Sequence, residues 1–211
     1  MAALSRTQIV ERLKRRNLVI SPIFSSQQIG PCSVDLRLGN IALIVRARGL
    51  SHVDPANYLD DKASGEYRRE LGRRQKLERH EIQFSEPLLV HPGTLILVPT
   101  LEWVKLPKDL QGIVTARSSW AREGLNIATA TFVDPGYKGI VTLELSNLGQ
   151  IPIALYPGVR IAQIAFHEVS GSRDSDLGRS QFNMSFEPSA GEIAKDDSSF
   201  IPTAQPKGVS R

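Results

Sequence analysis

The residues Ala116-Arg117-Ser118-Ser119-Trp120-Ala121-Arg122 place two guanidinium groups and two adjacent hydroxyls within seven positions of an otherwise apolar, β-rich stretch. Guanidinium forks and hydroxyls are groups that hold phosphate oxygens. Further along, in Ile140-Val141-Thr142-Leu143-Glu144-Leu145, strand alternation puts Glu144 on the face of Thr142 and opposite Val141, Leu143 and Leu145. A carboxylate in that position can move protons. The two segments together point to a nucleotide site with chemistry attached. Each also has a plainer reading. Arg117-Ser118-Ser119 could be a strand-end turn with one structural ion pair, and Glu144 a solvent-facing strand residue.

Two further residues join the set. Asp134, in Val133-Asp134-Pro135-Gly136-Tyr137-Lys138-Gly139, is an acceptor suited to a sugar hydroxyl, or else an Asp that opens a turn ahead of Pro135. Gln163, in Arg160-Ile161-Ala162-Gln163, is an amide donor to phosphate or an ordinary edge residue. Zinc chemistry fits the sequence poorly. Zinc deaminases of bases and nucleosides need a Pro-Cys-x-x-Cys pair, whereas Pro31-Cys32 has no second cysteine. His52, His80, His91 and His167 lie far apart. Hydrolysis is therefore expected to run without protein-bound zinc.

The elements that must position these residues are mostly strands. Ser5-Arg6-Thr7-Gln8 has the form of a capping box, and Ile9, Val10 and Leu13 then recur at helical spacing to about Arg16. Short apolar runs follow at 18–20, 33–38 and 41–45. Residues 46–83 are charge-dense and are expected to form a solvated loop or short helix inserted into a β domain, with a nucleic-acid patch as the alternative. From 87 to 168 short runs alternate with turn signals: 88–90, 94–98, 102–106, 112–116, 125–133, 139–145, 151–155 and 160–168. This spacing predicts an all-β fold, a barrel or jelly-roll-like sandwich with a few short helices, over residues 1–169. Residues 170–211 are rich in Gly, Ser, Asp and Pro and are expected to be a flexible tail or lid.

Composition narrows the class. The chain has 211 residues, 41% hydrophobic and 23% charged, ordinary values for a globular protein with one sizeable core. A net charge of +4 suits a polyanionic ligand but does not require one. No apolar run reaches membrane-span length, no signal peptide is evident, and the lone Cys32 agrees with a cytoplasmic setting.

In combination the segments 33–40, 117–125, 132–139, 142–147 and 157–163 resemble the trimeric dUTPase superfamily, and within it the dCTP deaminase branch. The resemblance implies a dUTPase-like distorted β-barrel that forms a homotrimer, with nucleotide sites at the subunit interfaces. It implies a zinc-independent hydrolase of nucleotide metabolism that converts dCTP to dUTP and ammonia. The bifunctional form, which continues to dUMP and diphosphate, and a non-catalytic nucleotide-binding trimer are the alternatives. Arg117, Ser118 and Ser119 would grip a triphosphate whose charge magnesium also meets. Asp134 would face the deoxyribose, Thr142 the base, and Gln163 the phosphates. Glu144 would be the acid/base, with Arg122 holding it ionised and Ser118 fixing the water. The implied partners are dCTP, dUTP and dTTP as an inhibitor, with no nucleic acid or membrane. Two segments depart from the family pattern. Residues 125–134 are one position shorter than usual, with Ala128 before Thr129-Ala130, and the stretch from Arg179 to Phe186 lacks the lid's Lys and Tyr.

Overall fold

The computed structural model describes residues 2–46, 52–53, 76–127, 130–170, 183–189 and 191. Contacts divide the chain into two units, Met1–Ile44 with Arg79–Ser189, and Val45–Glu78 with Ala190–Arg211. Every expected site residue belongs to the first. In the second, the Arg46 N–H donates to the Lys76 carbonyl at 2.7 Å, and its guanidinium pairs with Glu78 at 3.2 Å. Ala128, Thr129, Arg179 and, within the charge-dense 46–83 segment, residues 47–51 and 54–75 lie outside the described residues.

Helix α1 (Arg6–Lys14) begins at the expected capping box. Ser5 accepts from the Gln8 N–H, and the Gln8 side chain accepts from the Ser5 N–H at 2.8 Å. Ile9 is buried, and Val10 and Leu13 pack against the core. The remaining elements are β1 (Val19–Ser21), a 3-10 turn (Ser26–Gln28), β2 (Ser33–Arg37), β3 (Ile41–Val45), β4 (Leu77–Glu81), β5 (Leu88–Val90), β6 (Leu95–Lys105) and β7 (Leu110–Ala116). Helix α2 (Ser118–Arg122) precedes β8 (Leu125–Ile127), β9 (Phe132–Val133), β10 (Lys138–Asn147), β11 (Ile153–Leu155) and β12 (Arg160–Glu168).

The strands form three antiparallel sheets. The largest runs β4-β3-β6-β10-β8, with β1 also on β6; a second runs β2-β12-β7-β9; and β11 pairs β5. The architecture is the expected all-β one. Its core draws on both larger sheets, with Leu36, Val114, Ile164 and Phe166 from one and Ile96, Val98, Leu143 and Leu145 from the other, all buried.

Three local expectations change. Residues 94–98 and 102–106, expected as separate strands, join in the single strand β6. Pro99 does not break it, because the ladder to β10 is already irregular there. Ile140 pairs Trp103 while Thr142 pairs Pro99, so Thr100, Leu101 and Glu102 all stand opposite Val141. The run 125–133, expected as one strand, contains β8 and β9 in different sheets. The end of the 46–83 segment is not loop or helix. Leu77–Glu81 forms a strand whose charged side chains suit a sheet edge.

Candidate functional site

The phosphate-type residues gather where β7 runs into α2. Ala116 pairs Ala162 of β12, and the Arg117 N–H donates to the Ile161 carbonyl at 3.1 Å, so α2 starts tied to the neighbouring strand. Arg117 occupies the helix N-cap in extended conformation, and Ser118 and Ser119 are exposed in the turn that follows. Trp120 Nε1 donates to the Arg160 carbonyl at 2.9 Å, which anchors the helix a second time.

Asp35 organises this end. Its side chain is only 12% exposed and forms ion pairs with Arg117 and, at 3.2 Å, with Arg160. Gln163 pairs Asp35 across β2 and β12, and its Oε1 accepts from the Ser33 hydroxyl at 3.1 Å. That bond orients the side-chain amide. A guanidinium carries five donors, so one carboxylate can fix Arg117 and leave it able to bind phosphate oxygens. The plainer reading of Arg117, a strand-end ion pair, is thus present as well and serves to aim the fork.

The second group stands on the other large sheet. Along β10, Thr142, Glu144 and Ser146 are half-buried while Val141, Leu143, Leu145 and Asn147 are buried, in the expected alternation. The Glu144 Oε2 atom is shielded from solvent. Asn147 fixes the end of the strand, donating to the Val90 and Ile151 carbonyls, each at 2.8 Å, and accepting from the Gly149 N–H. At the start of β10, Asp134-Pro135-Gly136-Tyr137 forms a turn closed by Tyr137 N–H to the Asp134 carbonyl at 3.1 Å. Gly136 supplies its φ of +79°. Asp134 is exposed there, which fits both turn opener and ligand acceptor. Burial pushes the Tyr137 hydroxyl up to about 12, and it donates to the Ile140 carbonyl. Residues 183–185 lie along the same strand, with Met184 N–H to Lys138 O at 2.6 Å and Ile140 N–H to Ser185 O at 3.1 Å.

Helix α2 joins the two groups. Arg122 is exposed in its last turn, and Gly124, with φ of +89° and the Gly149 backbone close by, leads into β8. Strand β8 pairs β10 just beyond Glu144, Leu145 opposite Ile127. A single short helix therefore carries Ser118, Ser119 and Arg122 between the Asp35 group and β8, the strand that pairs β10. No group of three His, Cys, Asp or Glu among the described residues could hold a metal ion.

Sequence reasoning missed Asp35, which sits inside one of the motif segments but was given no role. The hint was an acidic residue on a strand whose neighbours Val34 and Leu36 are core. It also missed Glu102, a fully buried carboxylate on β6. Burial pushes Glu102 up to about 7, against the opposing pull of hydrogen bonds from the Arg37 N–H and Gln28 and of the Arg37 charge.

Residues 3–169 match the dCTP deaminase-like family model. A protein of Dictyoglomus turgidum named "dCTP deaminase, dUMP-forming" is 42% identical over 82% of this chain and 83% of its own. A protein of the same name from Methanobrevibacter smithii is 36% identical over 88% of this chain and 90% of its own. The fold is shared with a 2'-deoxycytidine 5'-triphosphate deaminase structure from Agrobacterium tumefaciens, at TM-score 0.57 and 24% identity. That match covers 79% of this chain, which spans about half (48%) of the Agrobacterium chain. The expected end product, dUTP, is overturned by these relatives, whose names specify dUMP. No helix among the described residues is long and apolar enough to cross a membrane. From its motifs, its strands and the match across 3–169, this chain belongs to the dCTP deaminase-like family.

Proposed function

We propose that the protein is a bifunctional dCTP deaminase and dUTP diphosphatase, hydrolysing dCTP to dUMP, ammonia and diphosphate. The observation that carries this reading is the 42% identity across 82% of the chain to a dUMP-forming relative. The two-ended arrangement of the site is consistent with it, since two hydrolyses at opposite ends of one nucleotide are required.

At the base end, Glu144 takes a proton from water as oxygen bonds to cytosine C4. It passes that proton to N3, then carries the proton of the new C4 hydroxyl to the amino group, and the C4–N bond breaks to release ammonia. Arg122 keeps Glu144 ionised, Ser118 holds the water, and Thr142 lines the base. General acid–base catalysis supplies on the order of 10²–10⁴-fold, so positioning must supply much of the remainder. At the phosphate end, Arg117, Ser119 and Gln163 bind the magnesium–triphosphate substrate, and Asp134 takes the deoxyribose hydroxyl. A second water adds to the α-phosphorus, the bond to the bridging oxygen breaks, and diphosphate leaves with charge met by Arg117. The magnesium belongs to the substrate, since its hard oxygen preference is met by phosphates and water. Deamination is assigned no zinc.

The same reading includes a homotrimer with shared sites and dTTP as a competing nucleotide. The exposed thiol of Cys32 supports a reducing, cytoplasmic setting.

The test is product analysis of purified protein with magnesium and dCTP or dUTP. From dCTP, ammonia and diphosphate should form in equal amounts with dUMP, and activity should survive zinc chelation once magnesium is restored. Accumulation of dUTP with ammonia refutes the second hydrolysis. Binding without turnover refutes the enzyme.

A further inference from the structure

Strand β10 is covered unevenly on the side that faces away from β6. Successive peptides of a strand turn to alternate sides, and on this side β8 pairs only residues 145–147. At the other end of β10 the same side is taken by residues 183–185. Met184 N–H donates to the Lys138 carbonyl at 2.6 Å, Ile140 N–H to the Ser185 carbonyl at 3.1 Å, and Lys138 N–H to Asn183 Oδ1 at 3.1 Å. Among the described residues no strand pairs 141–144 on that side, so Thr142 and Glu144 stand in a gap between this segment and β8.

The seat for the segment is built into the turn that presents Asp134. Tyr137 N–H closes that turn on the Asp134 carbonyl, and the Tyr137 hydroxyl donates to the Ile140 carbonyl beside the segment. A Cβ at residue 139 would lie 3.0 Å from the Tyr137 hydroxyl and 3.1 Å from the Ser185 carbonyl oxygen. Glycine at 139 is what lets the two backbones come this close. Further along, Ser185 Oγ donates to the Glu187 carbonyl at 2.6 Å, Glu187 pairs Arg79 of β4 at 3.5 Å, and Pro188 is buried. Met184 and Phe186 are 54% and 67% exposed, so the segment is held by its backbone more than by its large side chains.

We propose that residues 183–188 are a positioning strap for the nucleotide: docked on β10, they bound the gap at Thr142 and hold the Asp134 turn in the shape that receives the sugar. This rests on the reading that Asp134 and Thr142 touch the nucleotide. The contact lies within one chain, so it is the same whichever subunit supplies the phosphate-binding arginines. Its bonds to β10 end at Ile140, whereas Glu144 is followed directly by the pairing with β8. The strap therefore acts on binding and leaves the proton transfer alone.

Met184→Pro in the full chain breaks the strap, because proline lacks the N–H that bonds Lys138 and cannot adopt the φ of +63° found there. Hydrogen exchange at the Ile140 amide should speed up about tenfold as its partner leaves. KM for dCTP with magnesium should rise about tenfold, the size of one or two lost hydrogen bonds, with kcat kept within about twofold. Met184→Gly keeps the N–H and takes a positive φ freely, so exchange and KM should both return to native values. If Met184→Pro does not fold, Asn183→Leu removes the acceptor for the Lys138 N–H and should raise KM about threefold. Faster exchange at Ile140 with a native KM, a lowered KM, or a loss confined to kcat each overturns the strap. Native exchange at Ile140 in Met184→Pro, or an equal rise in KM in Met184→Gly, overturns it as well. Native protein that does not turn over dCTP overturns the proposed function instead, and the dissociation constants of dCTP from the same variants then decide the strap.

Discussion

The two groups of residues in the proposed site are held by different forces. At the phosphate end, Asp35 sets Arg117 and Arg160 by ion pairing, on side chains that are 32% and 39% exposed. At the base end, the strand itself sets Thr142 and Glu144, between the Asn147 amide at one end of β10 and the register break at the other. In the proposed reading, a triphosphate would be met by long, charged, partly hydrated side chains whose aim is fixed by a carboxylate. A proton transfer needs a short side chain on a backbone that does not move. The phosphate end should therefore respond to charge and salt, and the base end to packing and hydrogen-bond geometry.

The largest effect should come from Glu144→Gln. It keeps shape and removes the base, so kcat for ammonia release should fall by about 10²–10⁴-fold while dCTP binding, measured by calorimetry, stays within severalfold. Undiminished ammonia release would remove the proton shuttle from β10 and end the division between the two regions.

Glu102 gives the next effect, read as stability against pH. Its folded value of about 7 lies above the ordinary 4.5. Between those values the folded chain binds the extra proton, so the contribution is greatest below pH 4.5 and is lost as pH rises through 7. Relative to native protein, Glu102→Gln should therefore gain stability from pH 5 to pH 8, by roughly 3 kcal/mol at most. Denaturant melts at the two values measure this difference, in which other titrating groups cancel. A difference independent of pH would mean that Glu102 stays ionised in its buried place.

Asp35→Asn should have a smaller effect. It releases two arginines exposed enough for water to replace part of the lost pairing, so stability should fall by only ~1–2 kcal/mol. KM for dCTP should rise about tenfold with kcat nearly kept, and the KM of the variant should respond less to salt. A fall in kcat with unchanged KM would place Asp35 with the base end instead.

The sequence carried the parts of this arrangement that follow from period and residue type. Alternation in 140–145 placed Glu144 and Thr142 on one face, and the capping box at Ser5 marked where α1 begins. The missing parts are those made by pairing between distant segments. The bond from Glu102 to Arg37 spans 65 residues, and the Asp35 to Arg160 pair spans 125. Nothing local marks either one. Pro99 read as a boundary because proline ordinarily interrupts a ladder, and only the irregular partner strand explains why it does not. The segments 117–125 and 142–147 did not separate a dUTP-forming from a dUMP-forming reading, and it is the names of the relatives that favour the second.

Trp120 offers the finest test of the division, because it sits on the one helix that serves both ends. Its ring packs against the core and its Nε1 donates to the Arg160 carbonyl, two links from Asp35. Trp120→Phe keeps most of the packing and removes one hydrogen bond, so stability should fall by only about 1 kcal/mol. If α2 is oriented mainly from the β12 side, Ser118 and Ser119 lose aim and KM should rise about twofold to threefold, a shift the size of one weakened hydrogen bond. Arg122 follows the helix C-terminus, which Gly124 and β8 hold independently. The rate of ammonia release at saturating dCTP should then remain nearly native. An equal loss in kcat would mean that α2 moves as one rigid lever, and that the two ends are separate in their chemistry but not in their mechanics.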